Sequence, residues 1–172
     1  MNQRDLNDLL QMGKLRHAPC SQREFGQLLR AGRARLIDAR NQALALESRL
    51  DIAYKACNIL ALAAFRWHGL RPNTSLPLLL LLPCVVDTDV ATKKILARGH
   101  ATDHPESVAS VDAALVSDFI QVTMALLFKV EALGPVVSSG DTYSPLHCPA
   151  DLPCANDDQP SFRHLAWSLK QL

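Results

Sequence analysis

A short stretch, Arg98-Gly-His-Ala-Thr-Asp-His104, combines one arginine with two histidines and an aspartate. A guanidinium group can hold a phosphate through paired N–H bonds and stabilise the charge that develops on its oxygens. An imidazole, with a pKa of about 6.5, can take up or deliver a proton at neutral pH. Arg98 and His104 are therefore candidate catalytic residues for phosphodiester chemistry. His100 could assist them, and Asp103 could orient an imidazole.

The spacing of this Arg–His pair is weak evidence by itself. One such pair is expected by chance in a chain with twelve arginines and six histidines. The alternative is a polar loop in which Arg98 caps helix carbonyls and His104 is exposed ahead of Pro105. What distinguishes the pair is its position between the last two predicted helices.

A second group of cations, Arg66, His68 and Arg71, lies at the end of another predicted helix. These side chains could bind phosphate or RNA. The alternative is a structural role, because the helix dipole favours cations at a helix C-terminus.

The cysteines and histidines do not form a metal-binding pattern. His147, Cys148 and Cys154 match no common zinc spacing and lack a fourth ligand, so we predict no metal and no cofactor. The chain has five cysteines, an odd number without a CxxC pair, which is typical of reduced thiols in a cytoplasmic protein.

Composition indicates one globular domain in the cytoplasm. The chain has 172 residues, of which 48% are hydrophobic and 20% charged, which excludes a disordered protein. The N-terminus lacks the apolar core of a signal peptide. The most apolar run, residues 76–86, contains Pro77 and Pro83 and is too short to span a bilayer, so we predict no membrane association.

Charge is distributed unevenly along the chain. Residues 1–71 carry twelve Lys/Arg and six Asp/Glu, whereas residues 72–172 carry six and eleven. A basic half suits RNA or an acidic protein as a partner. The alternative is a solvated helix surface whose charges pair with those of the acidic half.

Apolar residues at three- and four-residue steps predict an all-α protein. The Ser21–Glu24 pair predicts a capping box, and Pro77 and Pro83 limit residues 76–86 to short turns. Residues 1–137 are expected to form an antiparallel four- to five-helix bundle, and residues 138–172 an irregular C-terminal tail, mostly loop, with one closing turn near Phe162. The predicted helices cover about residues 5–15, 21–46, 47–68, 88–97 and 107–133.

The stretch Ala45-Leu-Glu-Ser-Arg-Leu-Asp-Ile-Ala-Tyr54 begins a long alanine-rich helix that ends in His68-Gly-Leu-Arg-Pro72. This combination resembles a group of small bacterial HEPN proteins, in which an ESRxDxAY start leads to an HGxRP end. The likeness is good over about residues 22–72, weak over 73–104 and based on helix placement to 133. It does not extend to the tail.

The resemblance implies a four- to five-helix bundle that usually dimerises. Many HEPN domains are metal-independent endoribonucleases of toxin–antitoxin, CRISPR and abortive-infection systems; others are inactive partners of nucleotidyltransferases. Their signature is Arg, four to six residues, then His, near the start of the last long helix, which Arg98 and His104 match. Gly99 replaces the usual polar residue, often Asn, and Pro105-Glu106 replaces the Tyr that follows the His in some toxins.

The resemblance therefore implies a homodimeric endoribonuclease that acts on RNA as a toxin or defence component, with an antitoxin or nucleotidyltransferase as a partner. The alternative is a non-catalytic helical interaction module. A third hypothesis is an inhibitor that acts through the tail.

Overall fold

The protein is a helical bundle with a two-stranded ribbon at one end. The computed structural model describes residues 3–73, 77–102 and 111–136, with side chains from residue 6 onward. The predicted all-α bundle is confirmed. In chain order the elements are α1 (Gln3–Gln11), β1 (Leu15–His17), α2 (Gln22–Ala39), α3 (Leu46–Trp67), β2 (Leu70–Pro72), α4 (Leu78–Leu81), a 3-10 turn (Leu82–Cys84), α5 (Val90–Thr102) and α6 (Ala113–Glu131).

Helix α2 begins with half of the predicted capping box. The Ser21 hydroxyl accepts a hydrogen bond from the Glu24 N–H at 3.1 Å. The Glu24 carboxylate does not return to the cap, however, because it binds Arg66 on α3. The helix ends at Ala39, seven residues before the predicted limit, where the Asn41 side chain stabilises a turn.

Helix α3 is the central helix, as its nearly continuous apolar surface predicts. It packs against α2 on one side and α6 on the other. Close approach to α2 depends on Gly32, since a Cβ atom there would lie 2.6 Å from the Leu60 side chain. Gly69, with φ of +70°, ends the helix as predicted. Ten residues of α3 are buried: Leu50, Ala53, Ala56, Cys57, Leu60, Ala61, Ala63, Ala64, Phe65 and Arg66.

The antiparallel ribbon of β1 and β2 was not predicted from the sequence. Leu15 was assigned to the first helix, which instead stops at Gln11 ahead of Gly13, a residue with φ of +65°. Strands of three residues are too short to give a period-two pattern. The buried side chains of Leu15 and Leu70 attach the ribbon to the core.

The remaining helices have the predicted order with shifted ends. Residues 78–84 form short helical turns, as the two prolines predict. Asp89 accepts a hydrogen bond from the Thr92 N–H at 2.6 Å and caps α5, which extends five residues beyond the predicted end at Ala97. Asp112 caps α6 through the Leu115 N–H, also at 2.6 Å.

Helix α6 is a core helix of the bundle. Among the described residues it alone is long and apolar enough to cross a membrane, with a mean hydropathy of 1.6. Its inner face, which includes Leu115, Phe119 and Val130, is buried against the neighbouring helices. The predicted tail, residues 138–172, and the closing turn near Phe162 lie outside the described residues.

Candidate functional site at the α5–α6 elbow

The end of α5 and the start of α6 meet at a polar surface that we call the elbow, formed by residues 98–102 and 111–112. Arg98 projects from the last turns of α5, with 57% of its side chain exposed. Its Nη2 atom lies 3.6 Å from Oδ2 of Asp112. The other oxygen of Asp112, Oδ1, accepts the capping hydrogen bond from Leu115. Asp112 thus binds Arg98 and caps α6 at the same time.

The ion pair between Arg98 and Asp112 is weak and open to exchange. Both side chains are more than half exposed, and pairs of this kind contribute about 0–1 kcal/mol to stability. A phosphate that offers two oxygens to the guanidinium would form a stronger, paired interaction. The elbow therefore presents an arginine that can leave its carboxylate for an anionic ligand at little cost.

His100 points toward α3 and not away from the bundle. Its Nδ1 atom lies 2.8 Å from the Tyr54 hydroxyl, and the two rings stack with centroids 6.1 Å apart. Tyr54 also packs against Phe119 of α6, at a centroid distance of 6.3 Å. The half-buried ring of His100 is therefore held against α3 by Tyr54, which itself packs on α6 through Phe119.

Gly99 is required by the packing of α5 against α6. A Cβ atom at this position would lie 2.1 Å from a ring carbon of Phe119, so any side chain here would force the ring or the helices to shift. The close contact between α5 and α6 therefore accounts for glycine at this position. Arg98 and His100, on either side, are held on a helix end that lies directly against α6.

A groove of about 160 Å³ opens beside the elbow. Its α3 side is formed by Glu47, Asp51 and Tyr54, which are spaced by four and three residues and so share one helix face. All three belong to the stretch, residues 45–54, that carries the HEPN resemblance. Asp51 also binds Lys55 at 2.8 Å. The remaining lining residues are Leu50, Gly99, Thr102 and Val111.

The four residues of the predicted catalytic stretch fall into two sets. Arg98 and His100 lie on α5 and are brought to the elbow, although both were expected in a fading helix end or loop. Asp103 and His104 lie outside the described residues. The prediction that His104 takes part in the site therefore remains a prediction.

A phosphate-binding role for Arg66 is wrong, because its side chain is only 2% exposed and its donors are used internally. Nε and Nη2 bind the two carboxylate oxygens of Glu24, at 2.8 and 2.9 Å. Nη1 and Nη2 also donate to the carbonyls of Ala18 and Pro19, at 2.9 and 2.6 Å. Arg66 is the structural link between α3, the start of α2 and the segment that follows β1.

The other two members of that predicted group do not join Arg66 in one site. His68 is exposed and its Nε2 atom lies 3.0 Å from the Val85 carbonyl oxygen. Arg71 lies on the outer surface of β2. The helix-dipole interpretation, given as the alternative, suits Arg66 and His68 better than shared phosphate binding does.

Buried thiols take no part in the elbow. Cys57 is fully buried on α3, and burial raises the pKa of its thiol to about 12. Cys20 is also buried, and desolvation, followed by the charge of Glu24, raises its pKa. His147, Cys148 and Cys154, for which no zinc site is predicted, lie outside the described residues.

Sequence reasoning missed Tyr54 and Glu24 as partners of functional or candidate residues. The spacing of Glu47, Asp51 and Tyr54, by four and then three residues, places them on one face of α3 and could have indicated Tyr54. The Glu24–Arg66 pair spans 42 residues, so only the three-dimensional fold reveals it.

Neither a family model, nor a curated protein, nor a solved structure matches this chain. The side-chain geometry of the elbow and the resemblance carried by residues 45–72 are therefore the two indications of function.

Proposed function

We propose that the protein is a HEPN-type, metal-independent endoribonuclease of the cytoplasm that acts as a homodimer in a toxin or defence system. The observation that carries the proposal is the exchangeable guanidinium of Arg98 at the elbow, in the last turns of α5. Its only ion pair among the described residues is the exposed contact with Asp112 at 3.6 Å. An arginine at this position suits the first residue of the family's Arg-x4-6-His signature.

The proposed reaction is an internal transesterification of RNA. The imidazole of His104 takes the proton from a ribose 2′-hydroxyl, and the 2′-oxygen then forms a bond to the adjacent phosphorus. The bond from phosphorus to the 5′-oxygen breaks, and that oxygen leaves with a proton from an imidazolium. The products are a 2′,3′-cyclic phosphate and a 5′-hydroxyl. The 2′-hydroxyl supplies the nucleophile, so no metal is required.

Arg98 serves this reaction by exchanging Asp112 for the scissile phosphate. Its fork of N–H groups binds two non-bridging oxygens and stabilises the negative charge that grows on them. One arginine and one histidine are few groups for a complete site. A homodimer would bring two copies of Arg98 and His104 around one cleft.

The test is RNA cleavage in buffer containing EDTA, comparing wild type with Arg98→Ala and His104→Ala. Each variant is compared with controls on the same chain, Arg35→Ala and Gln27→Ala, both from exposed positions of α2. We expect Arg98→Ala and His104→Ala each to lose at least about 100-fold in rate, the size of a typical acid–base contribution. Equal activity of these two variants and the controls would reject the proposal.

A second candidate function, a non-catalytic interaction module, is favoured by an apolar patch remote from the elbow. Ile37 and Phe128 are each 63% exposed. They lie one turn from Arg33 and Glu131, which form an ion pair between α2 and α6. At 1.5 Å per residue, Phe128 is about 24 Å along α6 from Asp112. A patch at that distance cannot assist elbow chemistry, and its natural use is a protein contact.

The module hypothesis is tested with Ile37→Lys and Phe128→Lys, using Gln27→Lys as an exposed polar control on α2. If the protein is a module whose partner is a second copy, the two patch variants convert a dimer to a monomer in light scattering, and the control does not. If cleavage in EDTA is observed and survives both patch variants, the module hypothesis is rejected.

A further inference from the structure

The ribbon of β1 and β2 places two arginines directly opposite each other. In its antiparallel register, Arg16 pairs with Arg71. Successive side chains of a strand point to opposite faces. Because Leu15 and Leu70 are buried on the inner face, Arg16 and Arg71 share the outer face, and both are exposed.

This arrangement is unfavourable for folding, since like charges at directly opposite positions of a sheet repel each other. Among the described residues, neither guanidinium donates a hydrogen bond or forms an ion pair. Glu24 lies within the electrostatic reach of Arg71. However, its pKa is lowered first by its hydrogen bonds to Arg66, which occupy both of its oxygens. The outer face of the ribbon thus presents two guanidinium groups, and Glu24, the acidic neighbour of Arg71, is already bound to Arg66.

The residues around the pair are also basic. Residues 14–17 read Lys-Leu-Arg-His and residues 68–72 read His-Gly-Leu-Arg-Pro, without an acidic residue. Both segments belong to the half of the chain in which Lys and Arg exceed Asp and Glu by six. An anion that approaches the outer face of the ribbon therefore meets one arginine on each strand.

We propose that the β1–β2 ribbon binds the sugar–phosphate backbone of single-stranded RNA, with Arg16 and Arg71 as the phosphate ligands. Guanidinium groups suit this role because their planar N–H forks match phosphate oxygens. RNA is favoured over an anionic membrane because the large apolar residues of the two strands, Leu15 and Leu70, are buried. Binding at a membrane surface normally adds apolar side chains that insert among the lipids.

The ribbon is a second RNA contact, separate from the elbow. Tyr54 lies on α3 near the elbow, and His68 caps the end of α3 that leads into the ribbon. At 1.5 Å per residue, the helix between them is about 21 Å long. An RNA strand that reaches both surfaces would run along the bundle. The inference shares its ligand with the proposed function, and it does not depend on cleavage.

The test is fluorescence anisotropy with a labelled 2′-O-methyl RNA of about 20 nucleotides, which lacks the nucleophile for cleavage. Arg16→Gln/Arg71→Gln is compared with the control Arg35→Gln/Arg40→Gln, which removes two exposed arginines elsewhere. We expect the ribbon variant to bind about tenfold more weakly at low salt. The slope of log K for binding against log salt concentration should become less steep by about 1.4, since each phosphate contact on a single strand contributes about 0.7. The control should change binding by less than about twofold.

Stability separates a binding defect from misfolding. Because the substitutions remove a like-charge repulsion, the ribbon variant should be at least as stable to urea as wild type. Equal affinity and equal salt slopes for the ribbon variant and its control would overturn the proposal, as would a wild type that does not bind the oligonucleotide. Binding of wild type to phosphatidylserine vesicles alone, lost in the ribbon variant, would assign the ribbon to a membrane instead.

The two proposals fail in different ways. If wild type binds the 2′-O-methyl RNA through the ribbon but cleaves no unmodified RNA, only the nuclease is rejected. If cleavage depends on Arg98 while the ribbon variant binds RNA as tightly as its control, only the ribbon is rejected.

Discussion

The hydroxyl of Tyr54 lies 2.8 Å from Nδ1 of His100, and this contact joins the first turns of α3 to the end of α5. The two rings are stacked, and Tyr54 also packs on Phe119 of α6. Phe119 in turn occupies the space next to Gly99. One polar contact and two ring contacts therefore set the orientation of the helix that carries Arg98.

Replacing Tyr54 with Phe removes this hydrogen bond and keeps the ring packing. We expect a loss of about 0.5–1.5 kcal/mol in the free energy of unfolding, the usual contribution of one hydrogen bond. Urea denaturation measures the loss, and 15N NMR of the imidazole reports the change at Nδ1. Tyr54→Leu, which also removes the ring, should cost more. If Tyr54→Phe changes neither quantity, His100 is held by other contacts.

Gly99→Ala tests the contact between α5 and α6. Its Cβ would lie 2.1 Å from the Phe119 ring, so the helices must separate, and we expect a loss of about 1–3 kcal/mol. Gly26→Ala on α2 is a matched control, because its Cβ meets only the flexible end of Arg30 at 3.4 Å. The control should gain up to about 1 kcal/mol from helix propensity. Similar effects of the two substitutions would show that Gly99 is not packed as described.

The double variant Gly99→Ala/Phe119→Leu refines this test. A smaller side chain at position 119 makes room for the new methyl group. We expect a favourable coupling energy of about 1 kcal/mol in a double-mutant cycle, since the two residues are in direct contact. Additive effects would mean that the loss in Gly99→Ala arises elsewhere.

The buried pair of Arg66 and Glu24 should control stability and not RNA cleavage. Arg66→Ala leaves the Glu24 carboxylate and two backbone carbonyls without their donor, and we expect a loss of about 3–5 kcal/mol. Glu24→Gln should cost about 1 kcal/mol, because Glu24 is partly exposed and the carbonyl partners of Arg66 remain. Chemical denaturation measures both. A specific loss of RNA binding at unchanged stability would contradict the structural role.

The pair of Arg66 and Glu24 also predicts that the stability of the protein depends on pH. The hydrogen bonds to Arg66 hold the pKa of Glu24 below its ordinary value of 4.5. The resulting stabilisation is present in full above that value and is lost as the pH falls through the lowered pKa of the folded state. The stability difference between wild type and Glu24→Gln should therefore be constant from pH 7 to 5 and shrink below about pH 4.5. A difference that grows on acidification would contradict this sign.

The thiols should differ in reactivity. Cys57 is fully buried with a pKa of about 12, so it is neither accessible nor ionised at neutral pH. Cys84 is partly exposed. With iodoacetamide at pH 8, peptide mapping should find Cys84 alkylated in the folded protein and Cys57 only after denaturation. Rapid alkylation of Cys57 under native conditions would mean that α3 is not the central helix.

The sequence predicted the helices well where apolar spacing extends over several turns, as in α3. It failed where the structure depends on contacts between distant residues. The β1–β2 ribbon is one example, because each strand has three residues and Arg16 meets Arg71 only after the chain has formed α2 and α3. The capping box at Ser21 is another example, since the Glu24 carboxylate accepts a hydrogen bond from Arg66 on α3 instead of from the local backbone.

The candidate site was predicted in part. The position of Arg98 ahead of the last long helix followed from helix order, but its place inside α5 did not. Gly99 was interpreted as the fading end of a helix, whereas the structure uses it inside α5 to bring Phe119 close. Tyr54 was quoted only as part of the resemblance, and its contact with His100 depends on the tertiary packing of α3 against α5.

The central claim, that the elbow cleaves RNA by transesterification, is tested most directly by the ends of the products. RNA is incubated with wild-type protein in EDTA, and the fragments are analysed by mass spectrometry. We predict 2′,3′-cyclic phosphate and 5′-hydroxyl ends, no cleavage at a position with a 2′-deoxy substitution, and no such fragments with Arg98→Ala or His104→Ala. Intact RNA with wild type, or fragments with 5′-phosphate ends that persist in both variants, would contradict the claim.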